Sequence, residues 1–247
     1  MTADRQYVFA TGCARSGTTA LARLLNLHPD VCVGYERYSK LALAGKLEPG
    51  LFEPDRFRDF REEDCFAQRY AEGTFRAEVF SKIDTAKVVG DKFPRLVENI
   101  DQLDAFPNVK LIFIIREPLG VAHSFEARAK NPNDSWESDR GAIASIAQFN
   151  QALNAMTDVI QAGRFDYLIV NHNNLFDDPA EHRRLFSFLG VDPEKLGDVS
   201  GIVEQAKQKK RESTDSEIME HILMHAHVGK FRTVIDAERR QRAAFGS

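Results

Sequence analysis

Residues 7–25 constrain the fold of this chain more than any other segment. Residues 7–11 form a β-branched and aromatic run, which predicts a buried strand. Residues 20–25 carry apolar side chains at the spacing of one helical face. Gly12 and Gly17 lie in the loop between them. A strand, a glycine loop and a helix in this order turn backbone N–H groups and the positive end of the helix dipole towards an anion, so we predict a phosphate-binding loop.

The loop has the glycine spacing of a Walker A motif but lacks its lysine. In G-x-x-x-x-G-K-[ST] the lysine serves the β- and γ-phosphates and the hydroxyl binds magnesium. Gly12 and Gly17 have this spacing and Thr19 occupies the hydroxyl position, but Thr18 stands where the lysine belongs. The nearest cation is Arg15, inside the loop. We therefore predict a phosphate donor that has no γ-phosphate and binds without a metal.

The segment Arg15-Ser16-Gly17-Thr18-Thr19 resembles the 5′-phosphosulfate loop of sulfotransferases that use 3′-phosphoadenosine 5′-phosphosulfate (PAPS). The resemblance is to single-domain sulfotransferases of the bacterial type. It implies that the loop holds the donor and that Arg15 also faces the charge that builds up during transfer. The donor-binding residues implied for the loop are Gly12, Cys13, Ala14, Arg15, Ser16, Gly17, Thr18 and Thr19.

A second motif follows the continuous apolar run of residues 109–115, which predicts a central parallel strand. The run ends in Arg116, and Pro118 and Ser124 follow at the spacing Arg-x-Pro-x-x-x-x-x-Ser. The sulfotransferase family uses this pattern to bind the 3′-phosphate of PAPS. A guanidinium offers a planar fork of donors to phosphate oxygens, and a hydroxyl adds one more. An arginine at a strand end can also serve only a structural ion pair.

Two further side chains follow predicted strands, where ligands bind in open α/β sheets. Glu36 comes just after a short apolar run, and Lys92 follows a second one. The resemblance implies that Glu36 is the general base towards the acceptor and that Lys92 contacts the transferring sulfuryl group. Cytosolic sulfotransferases have a catalytic histidine two positions after this lysine, but this chain has Pro94. The alternative for Glu36 is a surface carboxylate paired with Arg37.

The order of elements predicts an α/β protein with a P-loop-like three-layer fold, a central parallel sheet and helices on both faces. The 247 residues fit a single sulfotransferase-like domain over residues 1–247. The resemblance is strongest over residues 7–191, and residues 192–247 are expected to form a helical C-terminal part. A helix is also predicted over roughly residues 95–105.

Composition limits the function classes. The net charge of -4 argues against a nucleic-acid partner as the default. The chain shows neither a signal-peptide pattern nor an apolar segment long enough to span a membrane. Cys13, Cys32 and Cys65 leave one thiol unpaired in any scheme, which favours a reducing, cytoplasmic compartment. A homo-oligomer is possible.

The last part of the chain carries weaker signals. His221, His225 and His227 invite a metal site, but they have no H-E-x-x-H pattern. The basic residues between 207 and 211 are typical of a solvated face, although they could close over a nucleotide. Residues 229–232 match the family's C-terminal nucleotide-binding region only poorly. The pair Asn173-Asn174 replaces an acidic pair that is usual in the family.

Together these motifs predict transfer of a sulfuryl group from PAPS to a hydroxyl or amine of a small-molecule or glycan acceptor, which leaves 3′-phosphoadenosine 5′-phosphate (PAP). One alternative is a P-loop kinase that uses ATP. It requires the Walker lysine and an aspartate for magnesium. Thr18 stands in the position of the lysine, and Arg116 follows the strand where the aspartate is expected. The other alternative is a relative that binds the nucleotide without catalysis, which the Asn173-Asn174 pair and the missing histidine leave open.

Overall fold

A computed structural model of the protein describes residues 5–66, 77, 79–134, 136–208 and 216–246. One parallel sheet stands at the centre of these residues. Its strands are β1 (Gln6–Thr11), β2 (Val31–Tyr35), β3 (Val88–Lys92), β4 (Val109–Ile115) and β5 (Asp166–Asn171).

The sheet has the order β2-β3-β1-β4-β5, and every neighbouring pair is parallel. The strand that carries the glycine loop, β1, therefore lies in the middle. The apolar run that predicts a central strand forms β4, whose last five residues are buried. Helices cover both faces, so the predicted P-loop-like α/β fold is confirmed.

The α-helices bury one face each against the sheet or against one another. They are α1 (Thr18–Asn26), α2 (Ser39–Leu43), α3 (Pro54–Arg58), α4 (Pro118–Ala129), α5 (Ala142–Ala162), α6 (His172–Asp177), α7 (Pro179–Phe188), α8 (Ser200–Gln208), α9 (Ser216–His225) and α10 (Val228–Phe245). Short 3₁₀ segments lie at Pro49–Phe52, Pro94–Glu98, Ile100–Ala105 and Pro193–Lys195. Within the described residues, no helix combines the length and apolarity that a membrane span needs.

Aromatic side chains fill the layer on one side of β1. Tyr7 and Phe9 alternate with residues that point to the opposite face. Both rings pack edge-on against Phe106, with centroids 5.1 and 4.9 Å apart. Both also contact Phe52, whose ring is almost fully buried. Edge-to-face pairs of this kind add about 0.5–1.5 kcal/mol each to the burial of the rings, so this cluster anchors the strand from which the glycine loop emerges.

The prediction of one helix over residues 95–105 is wrong. The structure has two 3₁₀ segments there, separated by Asn99, whose backbone is not helical. Its side-chain amide donates to the carbonyl of Leu43 at 2.8 Å. Asparagine side chains compete with helical backbone bonds in this way, and a bond to distant α2 gives no periodic signal in the sequence.

The C-terminal helix α10 covers the edge strand β5. Gln241 accepts the N–H of Ile169 through Oε1 and donates Nε2–H to the carbonyl of Tyr167. One amide side chain thus satisfies two backbone groups that an edge strand leaves open. Farther along the same helix, Arg242 pairs with Glu181 of α7 at 2.7 Å.

Candidate active site

The carboxyl ends of all five strands deliver side chains to one edge of the sheet, because parallel strands end on the same side. These residues are Glu36 after β2, Lys92 at the end of β3, Arg15 in the loop after β1, Arg116 after β4 and His172 after β5. The sequence motifs, which lie far apart in the chain, are therefore brought together at the edge where α/β proteins bind ligands.

The glycine loop adopts a conformation that its residues make possible. Gly17 is the N-cap of α1 with a φ of 99°, and Gly12 has a φ of 147°. A Cβ on Gly12 would lie 2.4 Å from the carbonyl oxygen of Ile114, and one on Gly17 would lie 2.6 Å from the His172 ring. Arg15 also has a positive φ of 69°, which is uncommon for a residue with a side chain. The loop thus runs tightly over β4 and opens at the N-terminus of α1, as an anion site requires.

Cys13 takes part in the loop through its backbone, and its thiol is not reactive. Its side chain is buried, and burial raises the pKa of the thiol to about 12. The thiol therefore stays protonated and unreactive at neutral pH. The carbonyl of Cys13 accepts the N–H of Ser16 at 3.2 Å, which closes the turn of the loop.

A cavity of about 390 Å³ opens beside the loop. That volume lies within the range of small-molecule sites, about 300–1,000 Å³. Four arginines line it: Arg15, Arg23, Arg116 and Arg128. Among its lining residues, all within the described part of the chain, no aspartate or glutamate occurs. The cavity is thus a cationic recess in a protein of net charge -4, suited to a ligand with several negative charges.

The two arginine motifs meet inside this cavity. Arg15 Nε donates to Ser124 Oγ at 3.1 Å, and Arg116 Nη1 lies 3.5 Å from the carbonyl oxygen of Arg15. Arg116 Nε lies 3.5 Å from Glu117 Oε1, a loose ion pair, while its guanidinium still faces the cavity. The Arg15 guanidinium therefore reaches the Arg116 side of the cavity in this conformation.

Lys92 and Glu36 form a second group next to α1, the helix that follows the glycine loop. Lys92 Nζ lies 2.7 Å from Glu36 Oε1 and 3.4 Å from Thr19 Oγ1. The lysine side chain is fully buried, whereas that of Glu36 is 24% exposed. A buried lysine needs such a partner, because an isolated charge in the interior is costly. Thr19 also lines the cavity, so it connects the pair to the arginines.

The alternative pairing of Glu36 with Arg37 is wrong. Arg37 is buried and forms an ion pair with Asp64 at 2.6 Å. Its Nε and Nη2 donate to the carbonyls of Phe57 and Asp59. Arg37 therefore ties the turn after β2 to the segment around α3, and Glu36 is left for the site.

His172 lies where β5 gives way to α6, against Gly17 and on the wall of the cavity. Burial, and then the positive charge of Arg116, hold the pKa of its imidazole below the ordinary value. The ring is therefore neutral at pH 7. Its Nδ1 lies 3.2 Å from Asn173 Oδ1, while Asn174 donates to Glu238 Oε1 in the C-terminal helix. The Asn173-Asn174 pair thus supports the ring and the fold.

The sequence motifs did not include several residues of the cavity wall. Arg23 lies one helical turn after Thr19, and Arg128 lies one turn after Ser124. That i, i+4 spacing from a motif residue is the signal that could have found them. Their charges are not free: Arg23 donates to Gln205 of α8 at 2.6 Å, and Arg128 forms a two-pronged ion pair with Asp134. The Nε2 of His123 is buried on the same wall with no hydrogen-bond partner among the described residues.

The C-terminal histidines and Lys230 are not among the residues that line the cavity. The rings of His221 and His225 are 4.4 Å apart, and His227 Nδ1 lies 3.2 Å from Asn154 Oδ1. In the described ranges, no group of three or more histidine, cysteine or carboxylate side chains is placed to hold a metal. Lys230, from the segment 229–232, donates to Asn154 Oδ1. The basic residues 209–211, and the side chain of Lys207, lie outside the described part.

Comparison with known proteins identifies the family of the chain. Among solved structures, the chain is similar to the sulfotransferase domain of the olefin synthase of Synechococcus PCC 7002, with 19% identity and a TM-score of 0.47 over 89% of this chain and 94% of that one. It is also similar to sulfotransferase STF1 of Mycobacterium tuberculosis H37Rv (15% identity, TM-score 0.49, 89% and 76% coverage). A third similar structure is mouse sulfotransferase SULT7A1 complexed with PAP (14% identity, TM-score 0.43, 85% and 68% coverage). No curated protein sequence matched the chain. The model of the Sulfotransferase family matches residues 7–195, more than half of the chain, and the protein therefore belongs to the sulfotransferase family.

Proposed function

We propose that this sulfotransferase transfers a sulfuryl group from PAPS to a hydroxyl or amine of a small-molecule or glycan acceptor. The observation that carries the proposal is the position of Thr19. It lines the arginine-rich cavity and is also within 3.4 Å of Lys92, whose ammonium pairs with Glu36. An anion-binding site and an acid–base pair thus adjoin at the N-terminus of one helix.

The donor would bind by its phosphates. The N–H groups of the loop and the positive end of α1 suit the 5′-phosphosulfate, because they offer hydrogen bonds and positive potential to an anion. The loop lacks the lysine that would match a longer phosphate chain. Arg116 and Ser124 suit the 3′-phosphate, with Arg15 in contact with Ser124 between the two ends. No carboxylate occurs among the described residues of the cavity wall, but Glu117 and Asp134 contact Arg116 and Arg128 beside it, so an anionic ligand would compete with these two carboxylates.

The reaction would then move one sulfuryl group to the acceptor and one proton away from it. The acceptor oxygen or nitrogen forms a bond to sulfur, the bond between sulfur and the bridging oxygen of the 5′-phosphate breaks, and PAP leaves with the electron pair. Glu36 takes the proton of the acceptor. Lys92 faces the negative charge that grows on the bridging oxygen, as preorganised cations do in phosphoryl transfer. Arg15 supports the same charge when it turns from Ser124.

The test is incubation of the protein with ³⁵S-labelled PAPS and a panel of phenols, alcohols, amines and saccharides. We expect label on at least one acceptor and an equal amount of PAP. Lys92→Met should abolish transfer, whereas Lys87→Met, at the opposite end of β3 and 67% exposed, should leave it unchanged. Tight PAP binding without transfer to any acceptor would favour the non-catalytic relative.

A further inference from the structure

Asp91 is a buried carboxylate next to the proposed catalytic pair, and the mechanism above does not use it. It is the residue before Lys92 in β3 and is 3% exposed. Its oxygens accept three backbone N–H groups. Oδ1 accepts those of Arg37 at 3.1 Å and Lys92 at 2.9 Å, and Oδ2 accepts that of Tyr38 at 2.9 Å. A strand-end carboxylate thus holds the turn that follows the neighbouring strand β2.

That turn contains a strained residue. Glu36 has a φ of 61°, in the left-handed backbone region that residues other than glycine rarely adopt. Such conformations cost about 1–3 kcal/mol and persist only where the surroundings enforce them. The N–H of Glu36 donates to the carbonyl of Lys92 at 2.9 Å, and the two following N–H groups donate to Asp91. The strain therefore falls on the proposed base, and Asp91 supplies much of the constraint.

We infer that Asp91 is a positioning residue that holds Glu36 in contact with Lys92 by fixing the backbone of the turn between β2 and α2. This inference rests on the proposed function and adds to it a residue that is not among those lining the cavity. It assigns Asp91 to the transfer step rather than to nucleotide binding, because its hydrogen bonds reach only the side of the site that carries Glu36.

The space around Asp91 is shaped for this contact. Gly34, its register partner in β2, leaves room for the carboxylate. A Cβ on Gly34 would lie 2.8 Å from Asp91 Oδ1 and 2.8 Å from the Cβ of Arg37. Gly34→Ala should therefore push the carboxylate or the turn away without changing a charge, and it provides an independent way to disturb the same contact.

A buried carboxylate nearby offers a matched control. Asp64 is fully buried and pairs with Arg37 and Arg56, so it supports the same turn through the arginine side chain. The backbone N–H groups of Arg37 and Tyr38 donate to Asp91 and not to Asp64. Asp64→Asn should therefore lower thermal stability like any loss of a buried ion pair. The bonds of Arg37 to the carbonyls of Phe57 and Asp59, and the two N–H bonds to Asp91, should keep the backbone of the turn in place.

The experiment compares Asp91→Asn, Gly34→Ala and Asp64→Asn in the full chain. Amide exchange by NMR should show lost protection at Arg37 and Tyr38 in the first two variants and not in the third. PAP affinity by calorimetry should stay within twofold of the wild type in all three. With the best acceptor from the panel, turnover at saturation should fall about 100-fold in the first two, the cost of a misplacement of about 1 Å, and change little in the third.

Unchanged turnover in an Asp91→Asn or Gly34→Ala protein that has lost amide protection would overturn the inference. If Asp91→Asn fails to fold, Gly34→Ala decides. If the wild type transfers to no acceptor, the proposed function fails on its own, and a crystal structure of either variant decides about Asp91. A Glu36–Lys92 contact that persists there would refute the positioning role, and a broken contact would support it.

Discussion

Glu36 and Arg116 stand on opposite sides of β1, after β2 and β4, and their expected roles are separate. Glu36 Oε1 lies 2.7 Å from Lys92 Nζ, and Glu36 is not among the residues that line the cavity beside Arg116. Arg116 lines the cavity beside Arg15 and Ser124. Substitutions on the two sides should therefore affect different steps, chemistry on one side and nucleotide affinity on the other.

The substitution Glu36→Gln keeps size and polarity but removes the proton acceptor. We expect turnover to fall about 10²–10⁴-fold, the usual contribution of a general base. PAP affinity and the melting temperature should hardly change. The measurement is steady-state kinetics over a range of acceptor concentrations. Near-normal turnover at saturating acceptor would remove Glu36 from the mechanism, and His172, which is neutral at pH 7, would be the next residue to test.

The substitution Arg116→Ala removes a guanidinium, a charged hydrogen-bond donor, from the cavity wall. Hydrogen bonds to charged groups contribute about 1.5–3 kcal/mol, so PAP affinity should fall roughly 10- to 100-fold by calorimetry. The matched control is Arg164→Ala, which removes an exposed arginine paired with Asp101 and Asp104 and should leave affinity unchanged. A sharp loss of melting temperature at unchanged affinity would instead make Arg116 a structural residue.

Asp91 should give stability a distinct pH dependence. Burial raises the pKa of its carboxyl from 3.8 to about 6, against the opposing effect of its N–H donors and Lys92 and with a small addition from Glu36. Between pH 3.8 and about pH 6, Asp91 is therefore protonated to a greater extent in the native state than in the unfolded state. The free energy of unfolding therefore loses this contribution as the pH rises through that window.

In Asp91→Asn this contribution disappears. The difference in unfolding free energy, variant minus wild type, should rise between about pH 4 and pH 6 and level off above. Urea unfolding of both proteins at half-unit steps of pH measures it. A difference that is constant over this range would show that the Asp91 pKa is not raised in the folded protein.

At the scale of elements, helix α8 contributes Ile202, Gln205 and Ala206 to the cavity wall, and Gln205 accepts a hydrogen bond from Arg23 of α1. A ligand in the cavity would contact both helices. We expect PAP to slow amide exchange in residues 200–206 as well as in the loop 12–19. Exchange followed by mass spectrometry checks this. Protection of the loop alone would place the bound nucleotide away from α8.

The sequence predicted the elements that carry the motifs because strands, glycine spacing and strand-end charges are local patterns. The glycine loop, β4, the position of Glu36 just after β2 and that of Lys92 at the end of β3 all follow from such patterns. The break at Asn99 and the role of Asp91 do not. Asn99 bonds to Leu43, and Asp91 bonds to Arg37 and Tyr38, more than fifty residues away in each case. Contacts of this kind leave no periodicity, and an aspartate in a strand reads only as a poor strand former.

At the scale of the whole molecule, the separation of charge is the main feature. The chain carries a net charge of -4, yet four arginines line one cavity whose described wall has no carboxylate. We therefore expect a polyanion to bind at this cavity in preference to the rest of the surface. Because Thr18 stands where a Walker A motif has its lysine, we expect the cavity to disfavour a magnesium-bound triphosphate.

The most direct test of the central claim is calorimetric titration of the protein with PAP and with ATP, each with and without magnesium. We predict that PAP binds without magnesium and more tightly than ATP under either condition, because Arg116, Ser124 and the loop match its two separate phosphates. Magnesium-dependent binding of ATP at higher affinity than PAP would contradict the claim and favour a kinase.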